Sequence, residues 1–242
     1  MNPQILYEDK DVLVLNKPAG LIVHSDGRTK EKTLSDWILE KYPNIKEVGE
    51  PLTLSNGVKI YRPGIVHRLD RETSGALVVA KNQDTFNFLK KQFQGREIRK
   101  IYNAFVYGEM KDDEGVIDRP IGKSRKDFRM WSAQRGARGE MREAVTEYKV
   151  LKRGGGFSFI EVSPKTGRTH QIRVHMKAIN HPVVCDKLYA PKQPKSLGFD
   201  RLALHSRNIS FTMPNGQNKT VEAPLSQDFQ EGLVNMDKLL QE

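Results

Sequence analysis

The chain has 242 residues, of which 37% are hydrophobic, which is enough for one large domain or two small ones with a modest core. Charged residues make up 29% of the chain and the formal net charge is +10, which predicts an anionic partner, most commonly nucleic acid. The single cysteine excludes an internal disulfide, and the six histidines show no metal-ligand spacing, so we expect no metal site.

The N-terminal region predicts where the protein acts. Residues 1–9 carry charges early and lack the apolar region of a signal peptide. No apolar run approaches the length of a membrane span. Together with a single cysteine, which fits a reducing compartment, these features predict a cytoplasmic protein without a membrane partner.

The first elements of the chain are short strands, predicted over residues 5–7 and 12–15. The motif NKPAG at 16–20 breaks this pattern. Lys17 within it is interpreted as an exposed turn residue, with a phosphate contact as the alternative.

Two helices are predicted in the first half of the chain. The first covers residues 33–42, because Thr33 can cap it and its apolar residues fall on one face. The second covers residues 84–94, with Asp84 as its predicted cap.

The motif RPGIVHRLDRETSG at 62–75 is a crowded polar loop that precedes an apolar strand predicted over 76–80. Asp70 lies between Arg68 and Arg71, and nearby cations favour an ionised carboxylate. Such a group can be a nucleophile, a general base, or one half of a structural ion pair. The structural alternative is that Asp70 caps a turn and pairs with an arginine.

A strand is predicted over residues 101–106, where side chains alternate between two faces. Lys100 and Tyr102 place a basic residue beside an aromatic one, which is typical of phosphate contact and base stacking. The alternative is an ordinary strand with a basic edge.

Residues 123–142 form a strongly basic segment with three large apolar side chains among its cations. We interpret it as a loop, mobile in part because of its glycines, that becomes ordered on an RNA backbone; a solvated loop is the alternative. Its basic residues are Lys123, Arg125, Lys126, Arg129, Arg135, Arg138 and Arg142.

The motif TGRTHQIRVH combines a turn with the start of a helix. Thr169 is the predicted cap of a helix that continues through Ile179. Arg168 before the helix N-terminus could help to receive an anion. His170 and Arg173 share one face of the first turns. A solvated helix face is the alternative for the two arginines.

The remaining elements are mostly strands and turns, with an amphipathic helix closing the chain. Short strands interleaved with few helices indicate the α+β class, built on a largely antiparallel sheet. These strands are predicted over residues 144–151, 157–162, 201–206, 209–211 and 219–222, and the closing helix over 229–240.

Three segments in register, HRLDRETSG at 67–75, KIYNA at 100–104 and TGRTHQIRVH at 166–175, resemble the RluA family of pseudouridine synthases. Residues 5–20 and RLALH at 201–205 fit the same family. The resemblance implies a single catalytic domain with the pseudouridine synthase fold: a mixed, largely antiparallel sheet with flanking helices and a catalytic cleft on one face. That domain is expected to cover the whole chain, without the N-terminal S4 module of many relatives.

The resemblance also implies roles for individual residues. Asp70 is similar to the catalytic aspartate of the family. Tyr102 matches the tyrosine that stacks on the target uracil and helps to remove the C5 proton. Arg173 matches the basic residue that pairs with the catalytic aspartate, and Arg68 matches the arginine that enters the RNA stack in place of the flipped base.

The expected partner is RNA, either large-subunit ribosomal RNA or transfer RNA, bound by a monomer without a cofactor or metal. One rival is a non-catalytic RNA-binding or ribosome-assembly protein on the same fold, which would not need Asp70. The other is a glycosidase or nucleosidase, but glycosidases normally use two carboxylates, and Glu72 is the only near candidate. The residues expected to contact RNA are Arg68, Arg71, Lys100, Arg129, Arg168 and His170.

Overall fold

A computed structural model describes residues 2–25, 27, 29–55, 57–134 and 137–241. Two residues of the basic segment 123–142 lie outside these ranges: Arg135, one of its cations, and Gly136, one of the glycines predicted to make it mobile. The strands are β1 (Gln4–Glu8), β2 (Val12–Lys17), β3 (Leu52–Thr53), β4 (Lys59–Ile60), β5 (Ser74–Ala80), β6 (Arg99–Tyr107), β7 (Glu114–Asp118), β8 (Ile121–Lys123), β9 (Trp131–Ser132), β10 (Arg138–Arg142), β11 (Val145–Gly154), β12 (Phe157–Pro164), β13 (Leu204–Thr212) and β14 (Asn218–Glu222). The helices are α1 (Leu34–Lys41), α2 (Gln83–Gln94), α3 (Gln171–Ala178) and α4 (Gln227–Lys238), with a 3₁₀ turn over Pro43–Ile45.

The chain divides into two compact units. The first contains residues 1–99 and 206–224, and the second contains residues 100–205 and 225–242. Each unit therefore combines a long stretch of the chain with a short C-terminal stretch. The prediction of one domain over 1–242 concerns both units together and stays a prediction.

In the first unit the strands follow the order β1-β2-β5-β13, and β14 pairs with β13. The pairs β1–β2, β2–β5 and β13–β14 are antiparallel. One side of these strands packs against α2, with Val12, Val78, Phe86, Leu89 and Ile209 in one buried cluster. The β-branched residues of β2 and β5 suit this pleated, buried surface.

In the second unit the strands follow the order β6-β12-β11-β7, and the pairs within this order are antiparallel. Its core contains Phe105, Phe159, Phe199 and Phe229, with ring centroids 4.7 to 5.6 Å apart where they meet. A separate three-stranded sheet has the order β10-β8-β9.

The helix caps follow local chemistry, with one correction. Thr33 caps α1 in a capping box, since its hydroxyl accepts from Asp36 N and the Asp36 carboxylate accepts from Thr33 N. The predicted cap Asp84 of the second helix is wrong. Asn82 caps α2 by accepting from Thr85 N at 2.9 Å, and Asp84 lies in the first turn, where a negative charge suits the helix dipole.

One strand prediction and one loop prediction differ from the structure. The strands predicted over 201–206 and 209–211 are one continuous strand, β13, because its residues pair with β14 through the predicted gap. The basic segment 123–142 is not simply a loop, since Lys123 pairs with Trp131 and Arg138 pairs with Lys123 in the small sheet.

The architecture confirms the predicted α+β class and the largely antiparallel pairing of the strands. Among the described residues, no helix is both long and apolar enough to cross a membrane.

Candidate active site

The residues predicted to form the site are distributed over both units. Arg68, Asp70 and Arg71 belong to the first unit, between β4 and β5. The remaining six belong to the second unit, on β6, on the basic segment and around the start of α3. They are Lys100, Tyr102, Arg129, Arg168, His170 and Arg173.

Asp70 lies in a backbone turn that is anchored on both sides. Leu69 is buried before it and Thr73 after it, at 4% and 2% exposure, and Thr73 N donates to Asp70 O at 3.1 Å. Asp70 itself is half-buried, between the exposed Arg68 and Arg71. The loop thus holds a carboxylate at a fixed backbone position while leaving part of it accessible.

Lys17 fixes the same loop, and both interpretations made of it are wrong. Its side chain is completely buried, so it is neither an exposed turn residue nor available to a phosphate. Its Nζ donates to Pro18 O and Leu21 O at 2.8 Å each and to Arg71 O at 3.0 Å. Gly20 N also donates to Arg71 O, at 2.9 Å. The ammonium therefore joins the turn after β2 to the residue that follows Asp70.

His67 supports the other end of the loop. Its Nε2 accepts a hydrogen bond from Val78 N at 3.0 Å, which assigns the proton of the neutral ring to Nδ1. The ring stacks on Phe93 at a centroid distance of 4.7 Å. His67 thus attaches the loop to β5 through a hydrogen bond and to α2 through ring stacking.

The arginines of this loop differ in their surroundings. Arg71 forms a bidentate contact with Glu31, at 2.7 and 3.2 Å, between two exposed side chains. Burial, followed by repulsion from Arg68, lowers the pKa of the Arg62 guanidinium. Arg62 and Arg68 therefore concentrate positive charge close to the loop.

In the second unit, Tyr102 and Lys100 lie at the start of β6. Tyr102 is 9% exposed and pairs with Val162 of β12. Burial lowers the pKa of the Lys100 ammonium. That ammonium lies 3.9 Å from the point where a Cβ on Gly167 would be, so it ends beside the turn before α3.

The N-terminus of α3 differs from the prediction. The helix begins at Gln171 rather than after a Thr169 cap, because His170 has a φ of 56° and no side chain caps the helix. The Gln171 side chain instead accepts from Arg168 N at 3.0 Å and from the Thr166 hydroxyl at 2.6 Å. The turn is thus held together by Gln171, a residue that was not predicted to have this part.

Arg173 is not on a solvated helix face. Its side chain is 11% exposed and donates from Nε and Nη2 to the two carboxylate oxygens of Asp186, at 2.7 and 2.8 Å. Its guanidinium lies 5.0 Å from the ring centroid of Tyr189. The Tyr189 hydroxyl lies 2.9 Å from His170 Nδ1, so the predicted pair of His170 and Arg173 is joined through Tyr189.

His175, two residues after Arg173 on α3, is a buried neutral histidine. Its Nε2 lies 2.9 Å from Arg119 O, and because a carbonyl only accepts, this nitrogen carries the proton. Its Nδ1 then accepts from the Thr146 hydroxyl at 2.8 Å. Burial lowers the pKa of His175, since the charged ring would lose its hydration.

Two of the predicted RNA contacts have local partners. Arg129 donates to the Asp127 carboxylate at 2.6 to 3.2 Å, and its hydrogen bonds lower the pKa of Asp127 to about 2. Arg168 Nε donates to Glu143 O at 2.9 Å. Both side chains thus have hydrogen-bond acceptors within the protein.

Besides Gln171, three residues that hold the site were not predicted in their observed parts: Lys17 as a buried cation, Asp186 and Tyr189. The sequence signal for Asp186 is weak: an aspartate in a loop can accept from the backbone N–H two residues later in an Asx turn, as Asp186 does from Leu188 N. No group of three or more His, Cys, Asp or Glu side chains within the described ranges could hold a metal ion.

The comparisons with known proteins identify the family to which the chain belongs. The family model described as RNA pseudouridylate synthase matches residues 11–178. The RNA pseudouridine synthase YlyB of Bacillus subtilis is 39% identical over 98% of this chain and 74% of its own length. The ribosomal large subunit pseudouridine synthase D of Neisseria meningitidis serogroup B is 41% identical, over 93% of this chain but only 58% of its own length. Several curated relatives are thus considerably longer than the part that the chain matches.

A solved structure has the same fold. Human RNA pseudouridylate synthase domain containing 4 superposes with a TM-score of 0.74 at 25% identity, over 96% of this chain and 92% of that one. This likeness confirms the predicted pseudouridine synthase fold. The extent of the family match and the identity to YlyB lead to one conclusion: the chain belongs to the RNA pseudouridylate synthases, in the RluA family, and is an isomerase that converts uridine to pseudouridine in RNA.

Proposed function

We propose that this isomerase modifies uridine in large-subunit ribosomal RNA, acts as a monomer in the cytoplasm, and uses Asp70, Tyr102 and Arg173 for catalysis. The observation that carries the catalytic assignment is the anchored loop in which Asp70 sits half-buried, with its backbone held from both sides. A fixed backbone supplies the preorganised position that a reacting carboxylate needs.

The chemistry requires few parts. The N1–C1′ bond breaks, the uracil turns, a C5–C1′ bond forms, and the C5 proton leaves while N1 gains one. No electron is transferred and no group enters from outside. The target nucleotide has to leave its stack to be reached. Ionised Asp70 either attacks C1′ or removes the C2′ proton, and both routes begin with the same carboxylate.

Tyr102 and Arg173 are proposed to act on the base and on the carboxylate, respectively. An aromatic face under a detached uracil contributes about 1–3 kcal/mol per stacked base. A guanidinium favours the ionised form of a nearby carboxylate. Tyr102 is held on a central strand and Arg173 is held by Asp186, so both side chains have defined orientations within their unit.

The basic residues are proposed to bind the RNA backbone. Support comes from two observations: Arg62 and Arg68 lie close enough to repel each other, and burial lowers the pKa of Lys100. A bound phosphate would offset the repulsion between the two guanidinium groups and would favour the charged form of the Lys100 ammonium. Contacts to phosphates predict binding that weakens steeply with added salt.

The ribosomal target is proposed from the names of relatives. Two proteins named ribosomal large subunit pseudouridine synthase D, from Neisseria meningitidis and Borreliella burgdorferi, are 41% and 37% identical to this chain. The direct test is a map of pseudouridine across total RNA from cells with and without the gene. A site that disappears from large-subunit ribosomal RNA supports the proposal, and a site that disappears only from transfer RNA refutes the target.

The catalytic assignment is tested with RNA that carries tritium at uridine C5, since isomerisation releases that tritium into water. Asp70→Asn should abolish release while RNA binding, measured separately, survives. Glu72→Gln is the matched control, because it makes the same carboxylate-to-amide change two residues away, and it should retain release. Unchanged release by Asp70→Asn would refute the role of Asp70.

A further inference from the structure

We propose that Asp186 and Tyr189 are positioning residues that set the orientation of the Arg173 guanidinium. The inference rests on the proposed role of Arg173 in the reaction and adds two residues that act through it.

Asp186 holds one edge of the guanidinium. Its side chain is completely buried, and its two oxygens accept from Arg173 Nε at 2.7 Å and Nη2 at 2.8 Å. The same carboxylate accepts from the backbone N–H groups of Leu188 at 3.0 Å and Tyr189 at 2.9 Å. A carboxylate held by two backbone donors cannot rotate without losing them, so it fixes the plane of the bidentate guanidinium.

This contact uses the Nε–Nη2 edge of Arg173 and leaves Nη1 outside it. A bidentate contact on one edge orients the other edge of the same planar group. Asp186 thereby sets the direction in which the rest of the guanidinium points, which is what a residue acting on a substrate or a carboxylate requires.

Tyr189 holds the face of the same guanidinium and connects it to two other elements. Its ring centroid lies 5.0 Å from the Arg173 guanidinium carbon, a cation–π contact. Its hydroxyl accepts from Trp131 N at 2.9 Å and lies 2.9 Å from His170 Nδ1, to which it can donate. A single phenol thus links the basic segment, through Trp131, to the helix that carries Arg173.

The second unit contains a matched ion pair for comparison. Arg201 donates from Nε and Nη2 to the two oxygens of Asp228, at 2.6 and 2.9 Å, and its guanidinium lies 5.6 Å from the Phe229 ring. Asp228 likewise accepts a backbone N–H, from Phe229 at 2.9 Å. This pair has the same chemistry without a predicted part in the reaction.

The experiment compares Asp186→Asn with Asp228→Asn in the full chain, by tritium release and thermal unfolding. We expect Asp186→Asn to lower kcat at least tenfold with KM for RNA within about twofold, and Asp228→Asn to lower Tm with kcat unchanged. Equal kcat values for the two variants would show that Asp186 serves only the fold and would overturn the inference.

A double-mutant cycle separates positioning from a general loss of structure. If Asp186 acts through Arg173, then Asp186→Asn should cause no further loss of kcat, within twofold, in an Arg173→Ala background. Losses that multiply would mean that the two residues act independently, against the inference. If Asp186→Asn does not fold, the same cycle is run with Tyr189→Leu, which removes the ring from Arg173 and should lower kcat at least fivefold in the native background only.

Parallel measurements keep the two proposals distinct. Asp70→Asn with undiminished release would refute the catalytic assignment whatever Asp186→Asn does. Loss of release in Asp70→Asn and Arg173→Ala, combined with full release in both Asp186→Asn and Tyr189→Leu, would overturn only the positioning role.

Discussion

Replacing Lys17 by methionine tests whether a buried ammonium holds the Asp70 loop. Methionine has nearly the length of lysine and fills the same space, so the change removes the charge and its hydrogen bonds without a large cavity. In the native chain the ammonium donates to Pro18 O, Leu21 O and Arg71 O.

The size of the effect follows from the acceptors that lose a donor. Arg71 O keeps the hydrogen bond from Gly20 N, so the loss falls mainly on Pro18 O and Leu21 O. A buried carbonyl deprived of its partner costs about 1–3 kcal/mol; because Leu21 O is buried and Pro18 O only partly so, about 2–6 kcal/mol is the upper range for the two. Methionine also avoids the several kcal/mol of burying an ammonium, and this offsets part of the loss. We therefore expect Lys17→Met to lower the free energy of unfolding by about 1–4 kcal/mol.

Thermal unfolding and tritium release measure the two consequences. For a chain of this size, about 1–4 kcal/mol corresponds to a Tm lower by about 2–16 °C. Below that Tm, kcat should fall more than KM rises, because the freed loop carries Asp70 and not the bulk of the RNA contacts. Lys32→Met is the matched control: it removes an exposed pair with Glu40 in the same unit and should change stability by less than about 1 kcal/mol. A Lys17→Met protein with native Tm and native kcat would refute the reasoning.

Three further changes test other parts of the structure. Gly75→Ala should lower the free energy of unfolding by about 3 kcal/mol more than Gly216→Ala, as measured by denaturant unfolding. Both glycines have positive φ, but of the two only Gly75 would place a Cβ 2.1 Å from a backbone oxygen. Equal losses of stability would contradict the packing argument. Burial lowers the pKa of His175 in the folded protein, so as the pH decreases the unfolded chain binds a proton at this histidine before the folded chain does. The free energy of unfolding should therefore fall as the pH decreases from about 6.5 toward the folded pKa. His175→Gln should remove this dependence of stability on pH. Glu31→Gln should strengthen RNA binding at low salt by releasing Arg71 from its exposed pair; weaker binding would exclude a phosphate contact for that arginine.

The parts of the fold that the sequence predicted are those governed by neighbouring residues. The α1 helix follows from a threonine cap, a capping-box aspartate and an apolar face within ten residues. The strand β5 follows from an apolar, β-branched run of strand length after the polar loop. In both cases the residues that determine the element are close neighbours in the sequence, so the local sequence pattern is enough to predict it.

Two of the wrong predictions depend on residues distant in sequence, unlike the misplaced caps of α2 and α3. Lys17 has a charged side chain and was therefore predicted to be exposed. Its ammonium is buried beside the carbonyl of Arg71, 54 residues later in the sequence, and only the fold brings the two together. The small sheet in the basic segment requires Lys123 to pair with both Trp131 and Arg138, although the segment reads as a loop by charge. The spacing of residue types within a short segment does not predict such strand pairings.

The same limit applies to the positive charge that first indicated an RNA partner. The sequence gives the sum, +10, but not which cations are already balanced by a neighbour. Arg71 is paired with Glu31, Arg129 with Asp127 and Arg173 with Asp186, so three of the predicted site arginines have part of their charge compensated within the protein.

This distribution separates two uses of arginine in one chain. Arg173, nearly buried and held by a buried carboxylate, has a fixed direction, which suits a group that acts at a defined atom. Arg71 and Arg129, exposed and paired with exposed or half-exposed carboxylates, can exchange those partners for phosphates at little cost, since surface pairs contribute about 0–1 kcal/mol. Burial of the partner, rather than the presence of the arginine in a motif, therefore distinguishes the residue expected to affect kcat from those expected to affect the affinity for RNA.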